Sequence, residues 1–570
     1  MFDALFTTTT EYKKLSHALS GKGACALFGL PASGRAQVYA ALCRQLDKPL
    51  CIVTPGEAEA TRFAADLNTL GIPAAVFPAR DYVLRPIEGT AREYEYRRLA
   101  VLGELVGGRL RAVAVPAEAL TQFTTPKEDF CANTRTLHAG DTLLRDDLLA
   151  ALFGAGYTRR AQVDGPGQFS VRGDIVDIFA PDQKMPVRME FWGDEIDTLH
   201  TFDLTTQRRE DAIDKFYLSP AREVLFGKPA DAAEQLRAFL AKQRGKKKTA
   251  MADCMAADLD LLDGGAVPVN MDKYLAVRYP HPATVLDYFA DPILVAEEPA
   301  SIREADRATA YRRGEELKSL ILDGVLCAGL DNLYADPSYL WSKTGHYRTI
   351  CAENFARSMP DQPLKDIINA PAHTLPAWNG EVAGLLEDLK PLCDAGYTVT
   401  LLAGTDRAAA GLARDLRDKG ILVTTDAAAA PAAGLVQVLA GHLSAGCEFP
   451  FAKYALLTGR AFGETSSQKK KRKKAKDALN SLTEITPGDL VVHQNHGIGR
   501  YAGIQRMAVQ GVTKDYLRIE YDKKDVLYVP VTQLDLLSRY TAPGDSENVK
   551  LSRLGGAEWT KTRKKVRAAT

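Results

Sequence analysis

The chain has 570 residues, 46% hydrophobic and 25% charged, which is enough apolar mass for several packed domains. Its 72 basic and 72 acidic residues balance, so no net field draws it to nucleic acid or membrane and any such attraction has to be local. Nine scattered cysteines without a C-x-x-C pair, no apolar leader and no run of about 20 apolar residues argue against a disulfide scaffold, a secreted chain and a membrane span. A soluble cytoplasmic protein with buried free thiols is expected.

The first segment, 1–128, alternates short apolar runs with helical spacing. Ala24 to Phe28, Leu50 to Val53, Ala74 to Phe77 and Ala112 to Val115 read as strands, and Gln37 to Leu46 as a helix. Strands alternating with helices predict a parallel α/β sheet. Between the first strand and helix, Gly29-Leu30-Pro31-Ala32-Ser33-Gly34-Arg35-Ala36 keeps the glycine spacing of a phosphate-binding loop. A working loop is G-x-x-x-x-G-K-[ST], with lysine on the phosphates and the hydroxyl on Mg²⁺. Here Arg35 replaces lysine and Ala36 cannot ligate a metal, and no strand ends in a D-E-x-[DH] box. The loop is expected to be degenerate: Gly29, Gly34, Arg35 and Ala36 should hold no cofactor, and no catalytic residue is identified.

From 129 to 212 the pattern changes to a small α+β insert of antiparallel strands, with runs at Gln168 to Phe179 and Val187 to Trp192. Period-two alternation places Arg188, Glu190 and Trp192 on one face and Val187, Met189 and Phe191 on the core face. A tryptophan beside an arginine on a polar face has the composition of an interface anchor. The stretch 213–375 is mixed and hard to read. A small α/β domain follows at 376–465, with helices over Glu381 to Cys393 and Arg407 to Lys419 around a strand at Thr398 to Leu402.

The segment 466–484 is a linker carrying six consecutive positive charges, Lys469 to Lys474, a solvated tether that can make salt-dependent contact with DNA phosphates. Residues 485–545 are strands and glycine-rich turns, as in a small β-barrel. His493 and His496 resemble a metal pair, but no third Cys, His or carboxylate has suitable spacing, so no metal is expected. The last stretch, 546–570, reads as the start of a basic helix without a stop signal.

Gly488-Asp489-Leu490-Val491-Val492-His493-Gln494-Asn495-His496-Gly497-Ile498-Gly499-Arg500-Tyr501 closely resembles the start of the RNA-polymerase-interacting domain of bacterial transcription-repair coupling factors. The likeness continues through Asp515 to Tyr521, Leu527 to Val531 and Leu536 to Tyr540, and Leu554 to Trp559 is similar to the family's junction with its motor. Upstream, the degenerate loop with its insert, Arg172-Gly173-Asp174 and Phe191 to Asp197 resemble the family's UvrB-like module. The resemblance is weakest between 225 and 375.

This resemblance implies a multidomain α/β fold: a UvrB-like body in two parts (1–128 and 213–375), a UvrA-binding insert, a small third domain and a Tudor/CarD-like barrel. It implies UvrA contacts at Arg172, Arg188 and Trp192, where the family commonly has Phe at the last position. It further implies contacts with the RNA polymerase β subunit at Ile504, Arg506 and Met507, on an exposed edge strand suited to β-augmentation. ATP and Mg²⁺ would belong to a translocase motor expected after residue 570, and UvrB's tyrosine-rich damage-clamping hairpin is not found after Phe77-Pro78. The expected role is an adaptor in transcription-coupled repair, not an enzyme in these residues. Two alternatives are a CarD-like transcription regulator using the barrel alone, which leaves the upstream residues unexplained, and a residual P-loop ATPase, which Ala36 argues against.

Overall fold

The computed structural model describes residues 6–86, 92–355, 362–378, 382–459, 487–493, 496–509, 512–522, 525–530, 537–539 and 551–553. Seven strands form one all-parallel sheet. Their order is Leu364–Asn369, Gly23–Phe28, Arg348–Glu353, Ile293–Glu297, Leu50–Thr54, Ala112–Pro116 and Ala74–Val76. The inner strands Leu50–Thr54 and Ile293–Glu297 are buried at every residue, as a parallel sheet covered on both faces requires. Alternate residues feed two separate cores. Ile52, Val295 and Ile350 point to one face, and Val53, Leu294 and Cys351 to the other. The four strands predicted near the N-terminus are therefore completed by three from the stretch that was hard to read.

That stretch also carries helices Pro229–Ala241, Gly245–Asp263 and Pro299–Leu322, whose core includes Leu236, Met251, Met255, Leu275 and Leu320. The insert is a six-stranded sheet in the order Arg209–Ala212, Glu195–Phe202, Val187–Trp192, Ile175–Phe179, Gln168–Arg172 and Thr158–Arg159. It is antiparallel as expected, except that Thr158–Arg159 runs parallel to its neighbour. Val187, Met189 and Phe191 pack beneath it with Leu148 and Leu152 of helix Arg145–Gly154.

A third, mixed sheet of six strands spans His373 to Thr458. Its strand Gly446–Phe449 packs on the parallel-sheet body: Cys447, Phe449 and Tyr454 share a core with Leu30, Ala36 and Phe6. The last sheet has five antiparallel strands in the order Val526–Pro530, Val512–Glu520, Gly497–Val509, Leu490–His493 and Leu537–Arg539. Val491, Tyr501, Leu517, Ile519 and Val529 form its core. The basic run Lys469 to Lys474 and the Leu554 to Trp559 motif lie outside the described residues.

No helix among the described residues is long and apolar enough to cross a membrane. The cysteines divide: Cys25, Cys43, Cys51, Cys327, Cys351 and Cys447 are buried as expected. Cys131 is exposed and Cys254 and Cys393 are half-buried, because all three sit on helices that show one side to solvent.

Candidate functional site

Two tight hairpins shape the insert's outer surface. Gly173-Asp174 joins Gln168–Arg172 to Ile175–Phe179, and Gly193-Asp194 joins Val187–Trp192 to Glu195–Phe202. Both glycines hold positive φ, +59° and +62°, the geometry a two-residue hairpin loop needs at its first position. Between the two hairpins, strands Ile175–Phe179 and Val187–Trp192 pair antiparallel with Asp177 opposite Arg188.

Arg172, Asp177, Arg188, Glu190 and Trp192 share the outer face. Trp192 stands out at 83% exposure. Arg188 differs from the sequence expectation of an accessible contact: it is only 9% exposed. Its Nε and a terminal nitrogen donate to the two Asp177 carboxylate oxygens at 2.7 and 2.9 Å, and its other terminal nitrogen donates to the Gln207 carbonyl at 3.0 Å. The guanidinium also lies 4.7 Å over the Phe202 ring. Asp177 is fully buried and accepts a third bond, at 2.5 Å, from the half-exposed Arg172. Arg209 pairs with Glu190 alongside.

This surface is therefore a braced plate. Arg188 and Asp177 form its interior, while Arg172 and Trp192 are what a partner can reach. Asp177 escaped sequence reasoning because it looks like one polar residue in an apolar strand until the register is known. A large cleft of about 1130 Å³, lined by Arg92, Glu95, Tyr96, Arg160 and Arg222, does not include Arg172, Arg188 or Trp192. These residues lie on the outer face of the sheet and outside that cleft.

The degenerate loop follows strand Gly23–Phe28 and leads into helix Ala32–Leu46. Arg35 is buried and points inward, with its nitrogens 3.0 Å from Glu297 and 2.9 Å from Glu298. Tyr39 donates to Glu297 at 2.5 Å. A Cβ on Gly34 would stand 2.9 Å from the Cys447 sulfur and 3.4 Å from the Phe449 ring. Protein thus occupies the room beside the second loop glycine. The acidic pair Glu297-Glu298 ends strand Ile293–Glu297, where a magnesium-binding acid would sit in a working site. Sequence reasoning missed it by searching for Asp-Glu. Here the pair neutralises Arg35.

In the last sheet, Gly497–Val509 is central in its first half, where Gly497 to Arg500 pair with Leu490–His493. Ile504 to Val509 pair only with Val512 to Leu517 among the described residues. The expected edge thus excludes Arg500 and Tyr501, whose far sides pair with Leu490 and hydrogen-bond Gly488 and Asp489. Ile504 is 44% exposed. The backbones of Arg506 and Met507 are paired with Asp515 and Lys514, but their side chains lie outside the described residues.

The metal expectation meets an unforeseen neighbour. Glu93, in the first turn of helix Glu93–Val106, comes to His493 and His496 from the far end of the chain, and one donor atom from each lies within 4.8 Å of the others. Local spacing could not show this third group. His496 Nε2 is 3.3 Å from a Glu93 oxygen. Burial lowers the His493 imidazole to about 4. Burial would raise the Glu93 carboxyl, but its hydrogen bond with His496 and the imidazoles hold it at about 2.

Against known families, the model described as UvrB interaction domain matches residues 136–224, and that of the CarD-like/TRCF RID domain matches residues 485–541. The transcription-repair-coupling factor of Bacillus subtilis is 28% identical over 555 residues, 95% of this chain and 47% of the relative. Those of Staphylococcus haemolyticus and Staphylococcus aureus are 28% and 26% identical, each over 94% of this chain and 47% of the relative. The chain spans about half the length of the curated relatives it matches.

Proposed function

We propose that this chain, similar over nearly its whole length to the N-terminal portion of transcription-repair-coupling factors, works in these residues as a docking adaptor and not as a catalyst. Its insert plate recruits UvrA through Arg172 and Trp192, with Arg188 holding the plate in shape. Its C-terminal sheet grips the RNA polymerase β subunit along the edge Ile504 to Met507, where main-chain hydrogen bonds supply strength and side chains supply choice. The degenerate loop holds no nucleotide. Any ATP-driven translocation would come from outside these residues. The basic run Lys469 to Lys474 adds salt-dependent contact with DNA phosphates. The setting is cytoplasmic.

The observation that carries this reading is the exposed Trp192 and Arg172 set on a plate braced by the buried Asp177–Arg188 pair. Rigid presentation of an aromatic and an arginine suits a hot spot, since little side-chain freedom is lost on binding. Biolayer interferometry with purified UvrA tests it. Trp192→Ala and Arg172→Ala should each weaken UvrA at least tenfold and leave polymerase binding unchanged, while Met507→Arg should do the reverse. UvrA affinity untouched by Trp192→Ala with Arg172→Ala would refute the assignment.

A further inference from the structure

Glu93, His493 and His496 bring together two imidazoles and a carboxylate, a donor set that suits zinc. In a tetrahedral zinc site, bonds of about 2.0–2.1 Å place ligand atoms roughly 3.3–3.4 Å apart. The His496–Glu93 separation of 3.3 Å already meets that spacing, and the remaining donors need only a small inward movement. The two imidazole rings lie 4.7 Å apart, tilted at 42°. His493 is fully buried and rigidly placed at the end of strand Leu490–His493, whereas the His496 side chain is 30% exposed and offers an entry path.

A second feature points to the same spot. Tyr521 is 2% exposed, and its phenol has no hydrogen-bond partner among the described residues. The Glu93 carboxylate is the charged group that acts on that phenol. A water on a metal held by three protein ligands would give such a hydroxyl a partner.

We propose that Glu93, His493 and His496 form a zinc site that clasps the C-terminal sheet to the helix Glu93–Val106 of the parallel-sheet body. Three protein ligands leave the fourth position to water. The clasp fixes the sheet that presents Ile504 to Met507 relative to the body that carries the insert. It does not depend on the identity of either docking partner.

The test uses the full chain, stripped with chelator, dialysed and titrated with Zn²⁺ and Co²⁺. Expected are one tightly held zinc per chain by elemental analysis and cobalt visible bands without the intense thiolate charge-transfer absorption of a cysteine site. Glu93→Gln and His496→Ala, both at partly accessible positions, should each weaken zinc at least tenfold while circular dichroism stays unchanged. Zinc should also slow hydrogen exchange in Leu490–His493 and in the first turn of Glu93–Val106, and not in the insert. Less than a tenth of a zinc per chain would overturn the proposal, leaving a hydrogen-bonded His–Glu pair. A thiolate band, or zinc binding that survives both substitutions, would overturn it by placing the metal on cysteines. Should either variant misfold, the wild-type cobalt spectrum and stoichiometry decide alone.

Discussion

Replacing Arg188 with alanine separates the two roles within the insert plate. Asp177 is fully buried and receives two of its three arginine hydrogen bonds from Arg188. Removing one partner of a buried ion pair costs about 3–5 kcal/mol, because a charge is left without compensation. Loss of the bond to the Gln207 carbonyl adds roughly 1 kcal/mol. Arg172 remains at 2.5 Å but is half-exposed, so it recovers only part of the loss. The balance is about 3 kcal/mol of local destabilisation. In a chain with several cores a single unfolding curve does not isolate one domain, so the assay is native-state hydrogen exchange on peptides covering Gln168 to Phe202. Arg188→Ala should speed exchange there roughly a hundredfold, since 1.4 kcal/mol is about a factor of ten. Trp192→Ala, at 83% exposure, should change it by less than about 0.5 kcal/mol while weakening the proposed UvrA binding at least tenfold. Equal protection in Arg188→Ala and the wild type would refute the claim that this arginine acts as a brace.

Other outcomes follow from the buried charges. Arg35→Ala strands Glu297 and should destabilise the body by about 3 kcal/mol, read as faster hydrogen exchange in peptides covering Ala32–Leu46 and Ile293–Glu297; substantial Mg-ATP turnover by the purified chain, lost in Arg35→Ala, would contradict a dead loop. Burial would raise the carboxyl of Glu95, but Arg80, Arg92 and Arg222 outweigh it and hold the group at about 2. A folded value below the unfolded one gives stability that is present above about pH 4.5 and lost as pH falls from there toward 2, on the order of 3 kcal/mol; Glu95→Gln should flatten that slope in acid unfolding. The hydrogen bond with Cys327 and the charge of Lys273 outweigh burial and lower the Cys254 thiol to about 7, so iodoacetamide at neutral pH should label it far faster than buried Cys25, Cys51 or Cys351, each raised to about 12. Peptide mass spectrometry reads that order.

The parallel sheet was legible where strands are continuous apolar runs, as at Leu50 to Thr54, because both faces must be buried and the sequence has no polar option there. Its full width was not, since Ile293–Glu297 is reached only after helices Pro229–Ala241 and Gly245–Asp263, and Arg348–Glu353 only after the long helix Pro299–Leu322, rich in arginine and glutamate. The outer face of Val187–Trp192 was readable from alternation, but not the burial of Arg188, which depends on which residue the next strand sets opposite it. The same limit hid Glu297-Glu298 from Arg35 and Glu93 from the two histidines: pairings made by the fold between distant segments leave no local spacing to detect. The edge at Ile504 to Val509 was half legible, because strand character shows in the residues but the length of the neighbour Leu490–His493 decides where the edge begins.

The most direct measurement is whether this chain bridges two machines. Mass photometry of the chain mixed with purified UvrA and core RNA polymerase, without nucleotide, should reveal a ternary species. Trp192→Ala should reduce it to chain plus polymerase, and Met507→Arg to chain plus UvrA. Separate species only, with neither partner retained by the wild-type chain, would contradict the account.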